Sequence, residues 1–190
     1  SKNPVMSGWV GSLIEFFPDA RIVVMVRDPA ECVPSLLKLV EISWKSRGWQ
    51  KADYAHSLDM LLETSFESFH NPAAQLARHA ATPHAFVDYR ELTARPRETV
   101  HAVYAALGMT VSDTFDNYLQ ANAEREKSHH SKFEYSLGEY DLSSELLERR
   151  LGPFYERYGW LRAAELRADG PRETATGADD AAPSATATET

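Results

Sequence analysis

RIVVMVRDPAECVPS, residues 21 to 35, holds the transition on which the fold turns. Ile22 to Val26 is a run of apolar β-formers, too short for a helix and stopped by Arg27-Asp28-Pro29. Such a run predicts a strand covered on both faces. Pro29 has no N–H to leave unsatisfied and a φ already set for a helix, so it predicts the first turn of one. Arg27 then stands at the carboxyl end of a parallel strand, where ligands of open α/β sheets bind beside helix N-termini. Its guanidinium fork suits a phosphate. Ser35 lies eight positions further on, about two turns into the helix, and shares a phosphate with Arg27 only if the loop or helix start is bent. The competing reading has Arg27 paired with Asp28 or capping a neighbour.

Working outward, Val10, Leu13, Ile14 and Phe17 recur at three and four spacing, which predicts an amphipathic helix from Pro4 to Phe17. Helices are expected from about Pro29 to Ser46 and from about Tyr54 to Ala80, the second loosened near Asn71-Pro72. AFVDY, residues 85 to 89, reads as a second strand. Glu98 to Leu107 reads as a helix closed by Gly108, and Asp113 to Lys127 as another capped by Ser112. SHHSKFEYSLGEYDLS is loop-like, and Ser143 or Ser144 caps a last helix to about Tyr158. Its aromatic residues Phe154, Tyr155, Tyr158 and Trp160 fit a helix docked on the core better than a base-stacking surface. Beyond Leu166 large apolar residues almost vanish, so one domain over residues 1–162 and a disordered tail over 163–190 are expected. Helices alternating with strands give an α/β class with a parallel sheet, but two strands suggest part of a larger one.

A net charge of -8 argues against a broad nucleic-acid or anionic-membrane surface, so any anion site must be a local group of cations. Cys32 is the single cysteine; it excludes an internal disulfide and fits a reducing, cytoplasmic setting. No partner base accompanies it, which favours a packing role over a nucleophile. Adjacent His129 and His130 point apart in most backbone conformations, and the other histidines lack ligand spacing, so no metal is expected. There is no initiator Met, and the chain opens as if processed or truncated.

SKNP at 1 to 4, FPDARIVVMVRDPAECVPSLL at 17 to 37, VDYREL with ARP at 87 to 96, and SHHSKFEYSL at 128 to 137 together resemble the sulfotransferases that use 3′-phosphoadenosine 5′-phosphosulfate (PAPS), particularly the bacterial branch. The resemblance covers roughly residues 1 to 160. It implies a three-layer α/β/α, P-loop NTPase-like fold, incomplete in this chain. It also implies that Arg27 and Ser35 hold the 3′-phosphate and Tyr89 lies near the adenine. Lys132, with Ser131 beside it, would return to the 3′-phosphate. Lys2 would stabilise charge on the transferring sulfuryl group, with positioning and electrostatics carrying the reaction and no metal required.

Three departures qualify that picture. Arg90 stands where the family commonly has an acid, and Pro4 where it often has a histidine base. No segment of the G-x-x-R-S-G-T kind, whose backbone N–H groups cradle the 5′-phosphosulfate, occurs anywhere. GxxxxGK[ST] is absent too. The leading expectation is a sulfotransferase fragment acting on a hydroxyl or amine of a small molecule or glycan, with no nucleic-acid or membrane partner. The alternative is a non-catalytic module binding 3′-phosphoadenosine nucleotides.

Overall fold

The computed structural model describes residues 4–126 and 137–160, with side chains for 6–122 and 137–160. Its centre is a parallel pair, β1 (Ile22–Val26) and β2 (His84–Asp88), in a register that sets Ile22 opposite His84 and Val26 opposite Asp88. Parallel pairing needs a long crossover. Here α2 (Pro29–Lys45) and α3 (Lys51–Arg78) supply it. A 3-10 segment, Pro4–Trp9, runs into α1 (Val10–Phe16) ahead of β1. After β2 follow α4 (Tyr89–Ala94), α5 (Pro96–Ala106), α6 (Asp113–Glu126), a 3-10 turn at Leu137–Tyr140 and α7 (Ser144–Tyr158).

One face of the sheet carries the core. Ile22, Val24 and Phe86 pack on Val10, Ile14 and Leu76 from α1 and α3. Val24, Val26 and Phe86 also meet Phe66 and Phe69 of α3 and Leu151, Phe154 and Trp160 at the chain's far end. The expected docking of the last aromatic residues is therefore found: Phe154, Tyr155 and Trp160 are buried. Cys32 and Leu62 join this core to a second cluster around Val33, Leu37, Tyr54 and Leu58. The predicted caps hold as well. Ser112 accepts the Phe115 N–H at 3.3 Å, Ser143 accepts the Leu146 N–H at 3.1 Å, and Gly108 takes the left-handed φ of 65° that a side chain resists.

Several expectations need correction. The first helix begins as a 3-10 segment, and only Val10–Phe16 is α-helical. α3 is not loosened at Asn71-Pro72 but runs through them as one helix. Pro72 is fully buried, and the Asn71 amide donates to the Ser7 carbonyl at 2.7 Å, so packing and an outside anchor offset the missing ladder bond. VDYREL does not end as a strand at Tyr89; β2 stops at Asp88, whose carboxylate turns the chain into α4. β1 is not covered on both faces, since Val23 and Met25 are 42% and 49% exposed. Among the described residues no helix is long and apolar enough to cross a membrane.

Candidate functional site

In the parallel register Val26 faces Asp88, so Arg27 and Tyr89 leave the sheet side by side. The Arg27 guanidinium carbon lies 5.0 Å from the centre of the Tyr89 ring. Arg27 Nε donates to Glu31 Oε2 at 2.9 Å, one helical turn ahead. A cation is thus fixed at the strand end against an aromatic wall.

Both strands end in the same device. Asp28 caps α2, its Oδ1 accepting the Ala30 N–H at 2.9 Å, with Pro29 opening the helix. Asp88 caps α4, its Oδ1 accepting the Arg90 N–H at 2.9 Å. In each case a short carboxylate satisfies an orphan donor of the first helical turn.

The end of α7 clasps both aspartates. The Tyr155 hydroxyl donates to Asp28 Oδ1 at 3.4 Å, and the Trp160 indole N–H donates to Asp88 Oδ2 at 3.2 Å. Arg90 completes the joint, its Nη2 donating to Asp88 Oδ2 at 2.8 Å and to the Tyr158 carbonyl at 2.7 Å. The unusual cation at position 90 is therefore matched by Asp88 beside it.

The two carboxylates differ electrostatically. Burial pushes the Asp28 carboxyl above its ordinary value, against the opposing Ala30 N–H and Arg90 charge. Burial pushes Asp88 upward too, but hydrogen bonds from the Arg90 side chain and backbone, then its charge, outweigh that and hold the carboxyl low. Burial likewise raises the Tyr155 hydroxyl, helped by the Asp28 charge. Cys32 sits under the turn with Sγ 3.7 Å from the Arg27 carbonyl, and burial drives its thiol up to about 12. A thiol held protonated that far is a packing group, in line with the sequence reading.

Of the residues expected in the site, Arg27 and Tyr89 are brought together, and Ser35 stays half-buried about two turns into α2. α2 is continuous from Pro29 to Lys45 despite Pro34 within it. Lys2, Ser131, Lys132, His129 and His130 lie outside the described residues. Trp44 stacks on Trp49, ring centres 6.2 Å apart, and packs on the second core cluster. Sequence reasoning missed Glu31, Asp88, Tyr155 and Trp160. For Glu31 a signal existed, its i, i+4 spacing from Arg27. Asp88 was hidden by reading the strand one residue too far.

An arginine and an aromatic ring leave adjacent parallel strands side by side, and each strand runs into a helix capped by an aspartate. Residues 1–113 match the model of the sulfotransferase family, and the chain belongs to that family. It is 25% identical over 166 residues to omega-hydroxy-beta-dihydromenaquinone-9 sulfotransferase Stf3 of Mycobacterium bovis. The same protein of Mycobacterium tuberculosis matches equally well. Each match covers 85% of this chain and 41% of the relative, so the chain spans well under half the length of these relatives. No solved structure matches the chain. The mostly helical fold with its small parallel sheet is compatible with the α/β fold that the resemblance implied.

Proposed function

We propose that this chain is the 3′-phosphate-binding portion of a PAPS-dependent sulfotransferase with a three-layer α/β/α core. The observation that carries the reading is the pairing of Arg27 with Tyr89 at one strand end, in a chain of the sulfotransferase family. Arg27 supplies the charge for the 3′-phosphate, with the Ser131-Lys132 segment as further donors; Ser35, about two turns into an unbroken α2, is the weakest of the proposed contacts. Tyr89, 39% exposed, offers a ring to the adenine. Lys2 stabilises the charge that builds on the sulfuryl oxygens as the S–O bond breaks. The mycobacterial relatives are named for an omega-hydroxylated dihydromenaquinone. A hydroxyl on a small organic molecule is accordingly the acceptor class proposed here.

Calorimetry with adenosine 3′,5′-bisphosphate and adenosine 5′-monophosphate tests the reading. The bisphosphate should bind more tightly, and Arg27→Ala should remove a charge-assisted contact of about 1.5–3 kcal/mol from it alone. Equal affinity for the two nucleotides, or an unchanged preference in the variant, would refute the 3′-phosphate assignment.

A further inference from the structure

The geometry points to Glu31 and Tyr89 as a two-sided clamp that sets the plane of the Arg27 guanidinium, and so determines its preference for a 3′-phosphate. This rests on the proposed role of Arg27 and adds two positioning residues to it.

An arginine side chain has four rotatable bonds, and a guanidinium recognises phosphate through in-plane hydrogen bonds, so its plane must be fixed before the fork is useful. Glu31 and Tyr89 constrain it in complementary ways. The Nε–H···Oε2 bond of 2.9 Å fixes one edge of the plane. The Tyr89 ring, with the guanidinium carbon over it 5.0 Å from its centre, bounds the group on a second side. Two restraints of different direction leave little freedom for rotation.

Stability does not account for the Arg27–Glu31 pair. The side chains are 34% and 51% exposed, and ion pairs that open to water contribute little to folding. A carboxylate beside an anion site also repels the ligand. Glu31 is useful there only if the orientation it imposes outweighs that repulsion. Nor is it required as the helix cap, because Asp28 already fills that role. Tyr89 is placed by a separate device, the Asp88 cap, which makes Tyr89 the first residue of α4.

Two substitutions at Glu31 separate orientation from charge. Glu31→Gln and Glu31→Ala both delete the negative charge, but only the amide keeps an acceptor for Nε–H. The quantity to measure on the 190-residue chain is the affinity ratio between adenosine 3′,5′-bisphosphate and adenosine 5′-monophosphate. Glu31→Ala should lower it about three- to tenfold, the worth of one ordinary hydrogen bond, while Glu31→Gln should keep or raise it. At Tyr89, Tyr89→Phe should preserve the ratio and Tyr89→Leu should lower it. A loss of adenine contact alone would weaken both nucleotides equally and leave the ratio unchanged.

If Glu31→Ala leaves or raises the ratio, or the alanine and glutamine variants behave alike, the Glu31 side of the clamp is wrong. An unchanged ratio in Tyr89→Leu overturns the Tyr89 side. A wild-type ratio near one that Arg27→Ala does not move is a different failure: it removes the 3′-phosphate reading itself, and the clamp with it.

Discussion

Asp28 and Asp88 occupy equivalent places, yet they respond to acid in opposite senses. The Asp88 carboxyl is held below its ordinary value of 3.8. Its ionised form therefore adds stability that is complete above pH 3.8 and is lost as pH falls through the lower folded value. The Asp28 carboxyl is raised above 3.8, so the native state holds that proton more tightly than the unfolded one. Its charge costs stability at neutral pH, a cost that disappears as pH falls through the raised value. Urea unfolding between pH 2 and pH 7 should show this directly. Asp88→Asn should be destabilised at pH 7 and converge on the wild type only as pH falls from 3.8 through the lowered folded value. Asp28→Asn retains a good capping side chain, so it should match or exceed the wild type at pH 7 and lose any gain in acid. Curves with the same sign for both variants would contradict the assignment.

The short elements were readable wherever a local signal set them. Val26-Arg27-Asp28-Pro29 carries its own stop, cap and restart, and β1 and α2 follow from it. Tyr89 shows the limit. Its stretch has the same logic, but without a proline the cap at Asp88 is silent, and α4 goes unnoticed. The Arg27–Tyr89 contact depends on strand register, a long-range property that single-segment patterns do not encode. α7 illustrates the same point from the other side. Its aromatic spacing foretold burial, but not that Tyr155 and Trp160 would reach the two aspartates. Trp160 meets Tyr158 at 4.9 Å, Tyr155 at 5.7 Å and Phe69 at 6.4 Å. Removing that ring with Trp160→Ala should cost about 3–5 kcal/mol. Trp160→Phe keeps most of the packing and loses the indole donor, so about 1 kcal/mol is expected in the same urea titration. Near-equal losses would mean that packing by the ring contributes little.

On the second face of its sheet the described chain is open along β1, whereas Val87 of β2, opposite Met25, is buried. Val23 and Met25 project from β1 at 42% and 49% exposure, while Phe16 and Phe17 stand at 78% and 57%. Exposed large apolar residues promote association, and the two-stranded sheet of the described residues also offers unpaired edges. Sedimentation of the 190-residue chain should reveal concentration-dependent self-association, and Met25→Lys should reduce it without altering the urea midpoint. A monodisperse monomer at high concentration would argue that these residues are harmless as they stand.

The clasp of α7 on the two strand ends also has a bearing on synthesis. Tyr155 reaches back 127 residues to Asp28, and Trp160 reaches back 72 to Asp88. During synthesis Arg27 emerges well before Trp160, and the carboxylates beside it acquire these partners only once residue 160 has cleared the exit tunnel. Pairings so distant in sequence form late. The two strand ends are thus completed by partners 127 and 72 positions further along the chain. Ribosomes stalled just before and just after Trp160 should therefore carry nascent chains that differ sharply in resistance to protease.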